Sequence, residues 1–271
     1  PTILTQGTPD QIERFVLPIL DGSAAWCQLF SEPGAGSDLA GLTTRADREG
    51  DHWIINGQKV WSSQAMQSDY GMLLARTDLD VPKHKGISWF AFRLDQPGVT
   101  IRPLREMTGD AVFNEVFLDD ALCEDRDVIG GAGNGWMVTQ TTLHFERTGI
   151  GAGGSHAGFP EPGPKGGMHG LPAGEAALLE APNAKLTVNY EDVARLVRDT
   201  GRSDDPGLRQ DLARLYTHTQ LGLWNAQRSK AEAQRGGGQA VASIGKLTQT
   251  DIVKLAARLG VDALGPNGLL T

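Results

Sequence analysis

Cysteine is scarce. Cys27 and Cys123 are the only two in 271 residues, in no Cys-x-x-Cys pair and at no zinc-ligand spacing. That argues against a disulfide framework or a metal site as the basis of the fold, and it fits a reduced intracellular setting. Long apolar runs are missing too. No stretch approaches the roughly 18 apolar residues that a membrane-crossing helix needs, and the opening PTILTQGTPDQIERFVLP is too polar for a secretory signal. Basic charge is in deficit, with 25 Lys and Arg against 33 Asp and Glu and a net charge of -8. Nucleic acid is therefore not the expected partner, because a phosphate backbone selects basic faces. What remains is an ordinary globular composition, 39% hydrophobic and 21% charged, enough for one large domain or two smaller ones. The chain begins at Pro1 and stops at Thr271, and both ends are expected to be cuts. A cytoplasmic location is the expectation.

Local signals divide the chain. Thr8 suits an N-cap with Pro9 at the first helical position, starting a short helix that ends near Gly22. From Trp26 to about Asp120 the pattern is one of strands. Residues 52–55 run into Asn56-Gly57 and then 58–61, which predicts a two-residue type I′ hairpin at Asn56-Gly57. Residues 71–76, 87–92 and 114–118 read as further strands. Short strands without intervening helices predict an antiparallel sandwich or barrel. Residues 135–147 lack breakers and read as a helix, whereas 149–174 are crowded with Gly and Pro and read as a long mobile loop. Leu208, Leu212, Leu215, Tyr216, Thr219, Leu223 and Ala226 share one helix face, with Asp205-Pro206 as its start. A last helix is predicted over 240–259, ending at Gly260.

The most specific segment is Phe30-Ser31-Glu32-Pro33-Gly34-Ala35-Gly36-Ser37-Asp38. Alone, its Gly-Ala-Gly turn is either a polar inter-strand turn or a place where backbone N–H groups and small hydroxyls meet an acceptor-rich ligand. It is followed by Gly57-Gln58-Lys59-Val60-Trp61-Ser62-Ser63. With both in order, the sequence resembles the acyl-CoA dehydrogenase family, whose signature is a (T/S)EPxAGSD turn followed by a G-x-K-x-W segment. The lead-in GTPDQIERFVLPILDG and Phe113-Asn114-Glu115-Val116-Phe117 extend the likeness over most of the chain. The resemblance implies an α+β fold: an antiparallel β-sandwich or barrel middle domain at 26–130, followed by part of an antiparallel helical bundle at 131–271. Residues 1–25 would end an N-terminal helical domain.

The resemblance also implies FAD as cofactor and an acyl-CoA as substrate. Gln28, Phe30 and Ser31 would contact the isoalloxazine through backbone and hydroxyl, and Ser37 would lie near the CoA or flavin end of the turn. Trp61 would pack by the flavin, and Ser63, where relatives often carry Thr, would hydrogen-bond near N5. An indole shields a reactive face from water, and a hydroxyl polarises a hydride acceptor. Thioester oxidation needs a base for the α-proton, which a carboxylate in a dry pocket supplies. The family places it either beyond Thr271 or immediately before an arginine on a helix after the β domain. Here that pair is Glu146-Arg147, with Arg147 orienting the carboxylate beside the substrate; the bland reading is two solvated helix residues.

Two later segments resemble a grip on a neighbouring subunit's FAD. In Arg198-Asp199-Thr200-Gly201-Arg202, Arg198 would pair with the pyrophosphate, but a Phe expected after Thr200 is missing and Arg202 stays an alternative. In Leu264-Gly265-Pro266-Asn267-Gly268, the residues Gly265, Asn267 and Gly268 would meet the cofactor, while Pro266 removes a donor. A homo- or hetero-oligomer, dimer or tetramer, follows, with electrons leaving to a carrier flavoprotein. No metal is expected. The loop at 149–174 is longer than its counterpart in relatives; it either makes room for a bulky acyl group, such as a branched, aromatic or sterol-derived chain, or is a surface insertion. The rivals are an oxidase or monooxygenase of the same fold, a non-catalytic subunit, and a flavin-free binding module.

Overall fold

The computed structural model describes residues 1–107, 109, 111–151, 190–235 and 239–269. Of the predicted loop at 149–174, all but 149–151 lies outside the described residues; those three continue a helix. The chain divides into two compact units, Pro1–Leu143 and, among the described residues, His144 onward.

In the first unit, helices α1 (Thr2–Gln6) and α2 (Pro9–Leu20) precede the sheet. The start of α2 is as predicted. The Thr8 hydroxyl accepts from the Gln11 amide at 3.2 Å, and the Gln11 side chain accepts from the Thr8 amide at 2.9 Å, a reciprocal cap. The other end of Gln11 donates to the carbonyls of Arg126 and Val128, fastening α2 to the far end of the sheet. Phe15 meets Trp26 and Tyr70 edge-on, and those two rings stack.

Among the described residues eight strands follow: β1 (Trp26–Leu29), β2 (Arg45–Glu49), β3 (His52–Ser63), β4 (Tyr70–Arg76), β5 (Ile87–Arg93), β6 (Val99–Leu104), β7 (Phe113–Glu124) and β8 (Val128–Ile129). They pair in the order β6-β7-β3-β2-β4-β5-β8, with β1 also on β4. The sheet is largely antiparallel, but β1 and β2 both meet β4 in parallel. In the interior both faces of β4 and β5 are covered, so Ile87 to Phe92 are all buried, a nearly continuous apolar run interrupted only by Ser88. Leu29, Trp53, Leu73, Phe90 and Phe92 fill one face; Phe15, Phe30, Leu42, Leu74 and Trp89 fill the other. Cys27 and Cys123 are free buried thiols in the first of these cores, and burial pushes the Cys27 thiol up to about 12.

The predicted hairpin at Asn56-Gly57 is wrong. Both residues lie inside the continuous strand β3. The turn is instead at Gly50-Asp51, where Glu49 pairs with His52 and Gly50 takes φ +63°. Gly57 is glycine for a non-local reason: it has φ +156°, and a Cβ there would lie 2.7 Å from the Thr44 Cα.

Helix α3 (Gly135–Gly151) begins in the first unit. Gly135 lies against the β5 backbone, where a Cβ would come within 2.4 Å of the Ser88 carbonyl carbon. The second unit holds α4 (Tyr190–Asp199), α5 (Pro206–Ala233), α6 (Gln239–Leu264) and a 3-10 turn at Gly265–Leu269. Asp205 caps α5 by accepting from the Gly207 and Leu208 amides, as its sequence predicts. Val193, Val197, Leu208, Leu215, Ile252, Ala256 and Leu259 form the core. The predicted stripe is only partly inward: Leu208 and Leu215 are buried, while Tyr216 and Leu223 are 49% and 51% exposed. Gly260 does not end α6. Without positive φ it stays helical, at a cost of about 1 kcal/mol against alanine.

Gly57→Ala should destabilise the protein by about 2–4 kcal/mol, through backbone overlap with Thr44 and a φ reserved for glycine. Gly50→Ala, with the same added methyl in open space, should cost only about 1–2 kcal/mol. Urea midpoints at constant m-value measure both.

Candidate functional site

The two specific motifs are stitched together in the first unit. The Ser31-Glu32 segment turns back through a pair of backbone bonds between Glu32 and Ala35. The Glu32 carboxylate is buried and fully used. One oxygen accepts from the Thr43 amide and hydroxyl, both at 2.7 Å. The other accepts from the Thr44 amide at 2.9 Å and from the Lys59 ammonium at 2.8 Å. Lys59 also donates to the Phe30 carbonyl at 3.2 Å, and the Val60 amide donates to the Ser31 carbonyl at 2.9 Å. Burial resists ionisation of Glu32, but the charge and hydrogen bond of Lys59, with those from Thr44 and Thr43, hold its carboxyl down at about 2. Burial lowers Lys59 to about 8 against the pull of Glu32, so it remains a cation at neutral pH.

Beyond Lys59 the strand is bulged, its register against β7 slipping between Lys59 and Ser62. Trp61 takes a left-handed φ of +60° and Gln64 one of +57°. For residues with a Cβ each such conformation costs about 1–2 kcal/mol. The bulge turns Trp61 outward, 57% exposed, with its indole edge-on to Phe113 at 5.7 Å. Ser62 is buried, its hydroxyl without a hydrogen-bond partner among the described residues. Ser63 is exposed and pairs with Phe113. Asn114, opposite Ser62, accepts from the Met66 amide at 3.1 Å and donates to the Phe113 carbonyl at 2.9 Å.

The predicted residues of this unit thus come together in part. Ser31 and Trp61 are joined through the Val60 amide, and Ser63 follows two positions on. Gln28 is half-buried on β1. Phe30 packs its ring in the core, and its carbonyl is taken by Lys59. Ser37 is exposed beside Asp38, which receives both of its hydrogen bonds from Lys83. Gly34 and Gly36 have neither a positive φ nor any atom within 4 Å of an added Cβ, so nothing in the chain itself demands glycine there. A backbone turn left open in this way can offer its N–H groups to an acceptor-rich ligand. Glu32 and Lys59 lie inside the two motifs, but nothing in the sequence around either one signals their pairing.

In the second unit Glu146 is half-buried on α3; the side chain of Arg147 lies outside the described residues. Arg198 is exposed in the last turn of α4. The Thr200 hydroxyl donates to the carbonyls of Leu196 and Val197, and Gly201 closes the helix at φ +70°. Arg202 is engaged internally, donating to the Asp262 carbonyl and pairing with Asp205 at 2.6 Å. It also brings the 198–202 and 264–268 segments together, since a Cβ on Gly265 would lie 3.8 Å from its Nη1. Asn267 is exposed, and Gly268 is close against Val261 and Leu264.

Residues 27–121 match a family model described as acyl-CoA dehydrogenase, middle domain. The acyl-CoA dehydrogenase FadE34 of Mycobacterium tuberculosis is 55% identical over 153 residues, 56% of this chain and 22% of that protein. The acyl-CoA dehydrogenase IpdE1 of the same organism is 38% identical over 275 residues, 99% of this chain and 62% of that one. Among solved structures, the Tcur3481-Tcur3483 steroid ACAD matches with a TM-score of 0.80 at 30% identity, over 100% of this chain and 63% of its own. The chain therefore spans less than two thirds of these relatives.

Lys59→Met should cost about 3–5 kcal/mol, because it strands a buried carboxylate, whereas Glu32→Gln with Lys59→Met should cost less. The folded pKa of Glu32 lies below its usual 4.5. Its contribution is therefore whole above pH 4.5 and lost as pH falls toward about 2. Denaturant titrations across that window should show an acid-dependent loss in the wild type that is smaller in the double variant.

Proposed function

Because the chain belongs to the acyl-CoA dehydrogenase family, we propose that it carries out FAD-dependent α,β-dehydrogenation of an acyl-CoA thioester. The observation that carries this reading is the junction of the two motifs, which sets an exposed indole and the Ser31 segment side by side. The same junction fits the cofactor: Gly34 and Gly36 leave an open backbone that a ligand can approach, and Trp61 is held outward at the expense of backbone strain. Gln28, Ser31, Trp61 and Ser63 would hold the isoalloxazine, with Ser37 near the CoA or flavin end of the turn. Bound FAD supplies the hydride acceptor.

The chain's own work is to bind, to exclude water and to move a proton. Glu146 would take the α-proton from the acyl thioester, and Arg147 would orient that carboxylate. Trp61 would cover the reactive face and keep solvent from it. Arg198 suits the pyrophosphate of a neighbouring subunit's cofactor better than Arg202, whose guanidinium is already bonded to Asp205 and Asp262. That role makes the enzyme an oligomer, with electrons passing to a carrier flavoprotein. A bulky acyl group is the substrate class we adopt, on the likeness to the steroid ACAD, which matches 100% of this chain. No described helix is long and apolar enough to cross a membrane, and a cytoplasmic enzyme is the reading we adopt.

Anaerobic addition of a sterol-side-chain acyl-CoA to the FAD-loaded full-length protein should bleach the flavin. Glu146→Gln should retain FAD and slow bleaching by at least roughly 10²-fold. Wild-type bleaching by this variant would move the base elsewhere. Rapid reoxidation in air with peroxide release would make the enzyme an oxidase.

A further inference from the structure

The outward placement of Trp61 is not what its strand would give by itself. Along β3, Trp53 and Ile55 are buried while His52, Ile54 and Asn56 are less so, the alternation of a half-buried strand. Continued without interruption, that alternation would bury Lys59 and Trp61 and expose Val60. Instead Lys59 and Val60 are both buried and Trp61 faces out. A one-residue bulge inverts the face of everything that follows it. The bulge therefore decides where the indole points, and two sets of bonds hold it from opposite ends.

At the leading end, Glu32 fixes the Lys59 ammonium, and the Val60 amide goes to the Ser31 carbonyl instead of to β7. At the trailing end, Asn114 is buried opposite Ser62. One atom of its amide receives the Met66 amide and the other reaches the Phe113 carbonyl, whose ring meets the Trp61 indole edge-on. Between these ends lie two non-glycine residues in the left-handed region, Trp61 and Gln64. Such conformations persist where the surroundings over-determine them, and they gather where a side chain must be presented.

We propose that Glu32, Lys59 and Asn114 are positioning residues that jointly hold the 60–64 bulge, so that Trp61 is preset outward for the flavin before any ligand arrives. The flavin part of this inference rests on the function proposed above; the presetting of the indole does not. None of the three side chains needs to touch the cofactor.

The test uses the full-length protein with two variants, Asn114→Ala and the double Glu32→Gln/Lys59→Met, each made also with Trp61→Phe. The difference between each pair isolates the fluorescence of Trp61 from the five other tryptophans. In the apoprotein, acrylamide quenching of Trp61 should fall at least about twofold in both variants as the indole withdraws toward the sheet. FAD affinity should fall by about tenfold or more. Leu215→Ala, a core substitution in the second unit, serves as the control: it should lower stability without moving the Trp61 signal. A purely structural role would make all three variants alike.

Wild-type quenching of Trp61 in folded Asn114→Ala overturns the proposal, whatever happens to FAD. Should the double variant fail to fold, Asn114→Ala decides alone. Should the wild type bind no FAD, the functional reading falls, while the quenching comparison still decides whether the indole is preset.

Discussion

A carboxylate and an ammonium buried together at Glu32 and Lys59 are the constraint on which the first unit turns. Either ion alone would cost several kcal/mol to take from water, and their attraction offsets this only if the remaining lone pairs and protons are satisfied. Here they are: the amides of Thr43 and Thr44, the Thr43 hydroxyl and the Phe30 carbonyl complete the shell. Residues 27 positions apart therefore have to arrive together. Once they do, the Ser31 carbonyl is in place to receive the Val60 amide, and the strand cannot continue its regular ladder with β7. The ion pair is thus less a source of net stability than a device of register. It selects one arrangement of the turn and the strand over alternatives that would bury the indole.

The same strand absorbs a second irregularity a few residues earlier. At Gly57 the backbone of β3 approaches Thr44 too closely for any side chain, and Thr44 is the residue whose amide completes the Glu32 shell. The close approach and the ion pair therefore share a neighbour. Gly57 allows β3 to press on the 43–44 segment, that segment presents two amides to Glu32, and Glu32 holds Lys59. The cluster is contiguous and built mostly from backbone groups, which makes it tolerant of side-chain change around it and intolerant of change within it.

This chain of dependence explains what the sequence made legible and what it hid. The starts of α2 and α5 were readable because a cap is a local matter: Thr8 needs only Gln11, and Asp205 only the amides two and three residues on. The α+β division was readable for the same reason, since periodicity is local. Asn56-Gly57 misled because its glycine answers to Thr44, not to its neighbour, while the turn sits at the less typical Gly50-Asp51. Glu32 and Lys59 were in plain view but silent, since nothing local shows that two charges will be buried against each other. The exposed half of the α5 stripe, Tyr216 and Leu223, shows the converse limit: helical spacing fixes a face, but not what covers it.

The second unit applies the same logic with less strain. Two arginines near the end of α4 compete on paper for one role, and spacing cannot separate them. Their hydrogen bonding differs. Gly201 in the left-handed region turns the chain so that the Arg202 amide bonds back to Val197 and its guanidinium reaches across to Asp262 at the end of α6. Asp205, while capping α5, also pairs with that guanidinium. Arg202 thereby fastens three helix ends to one another, and both terminal nitrogens of its guanidinium are already engaged. Arg198, one turn earlier, is exposed, and among the described residues its side chain carries no such duty. In both units, then, the residues that hold the backbone are distinct from those turned outward: Glu32 and Lys59 stand to Trp61 as Arg202 stands to Arg198. A side chain is at liberty to meet a ligand because another, a few positions away, has taken up the structural bonds.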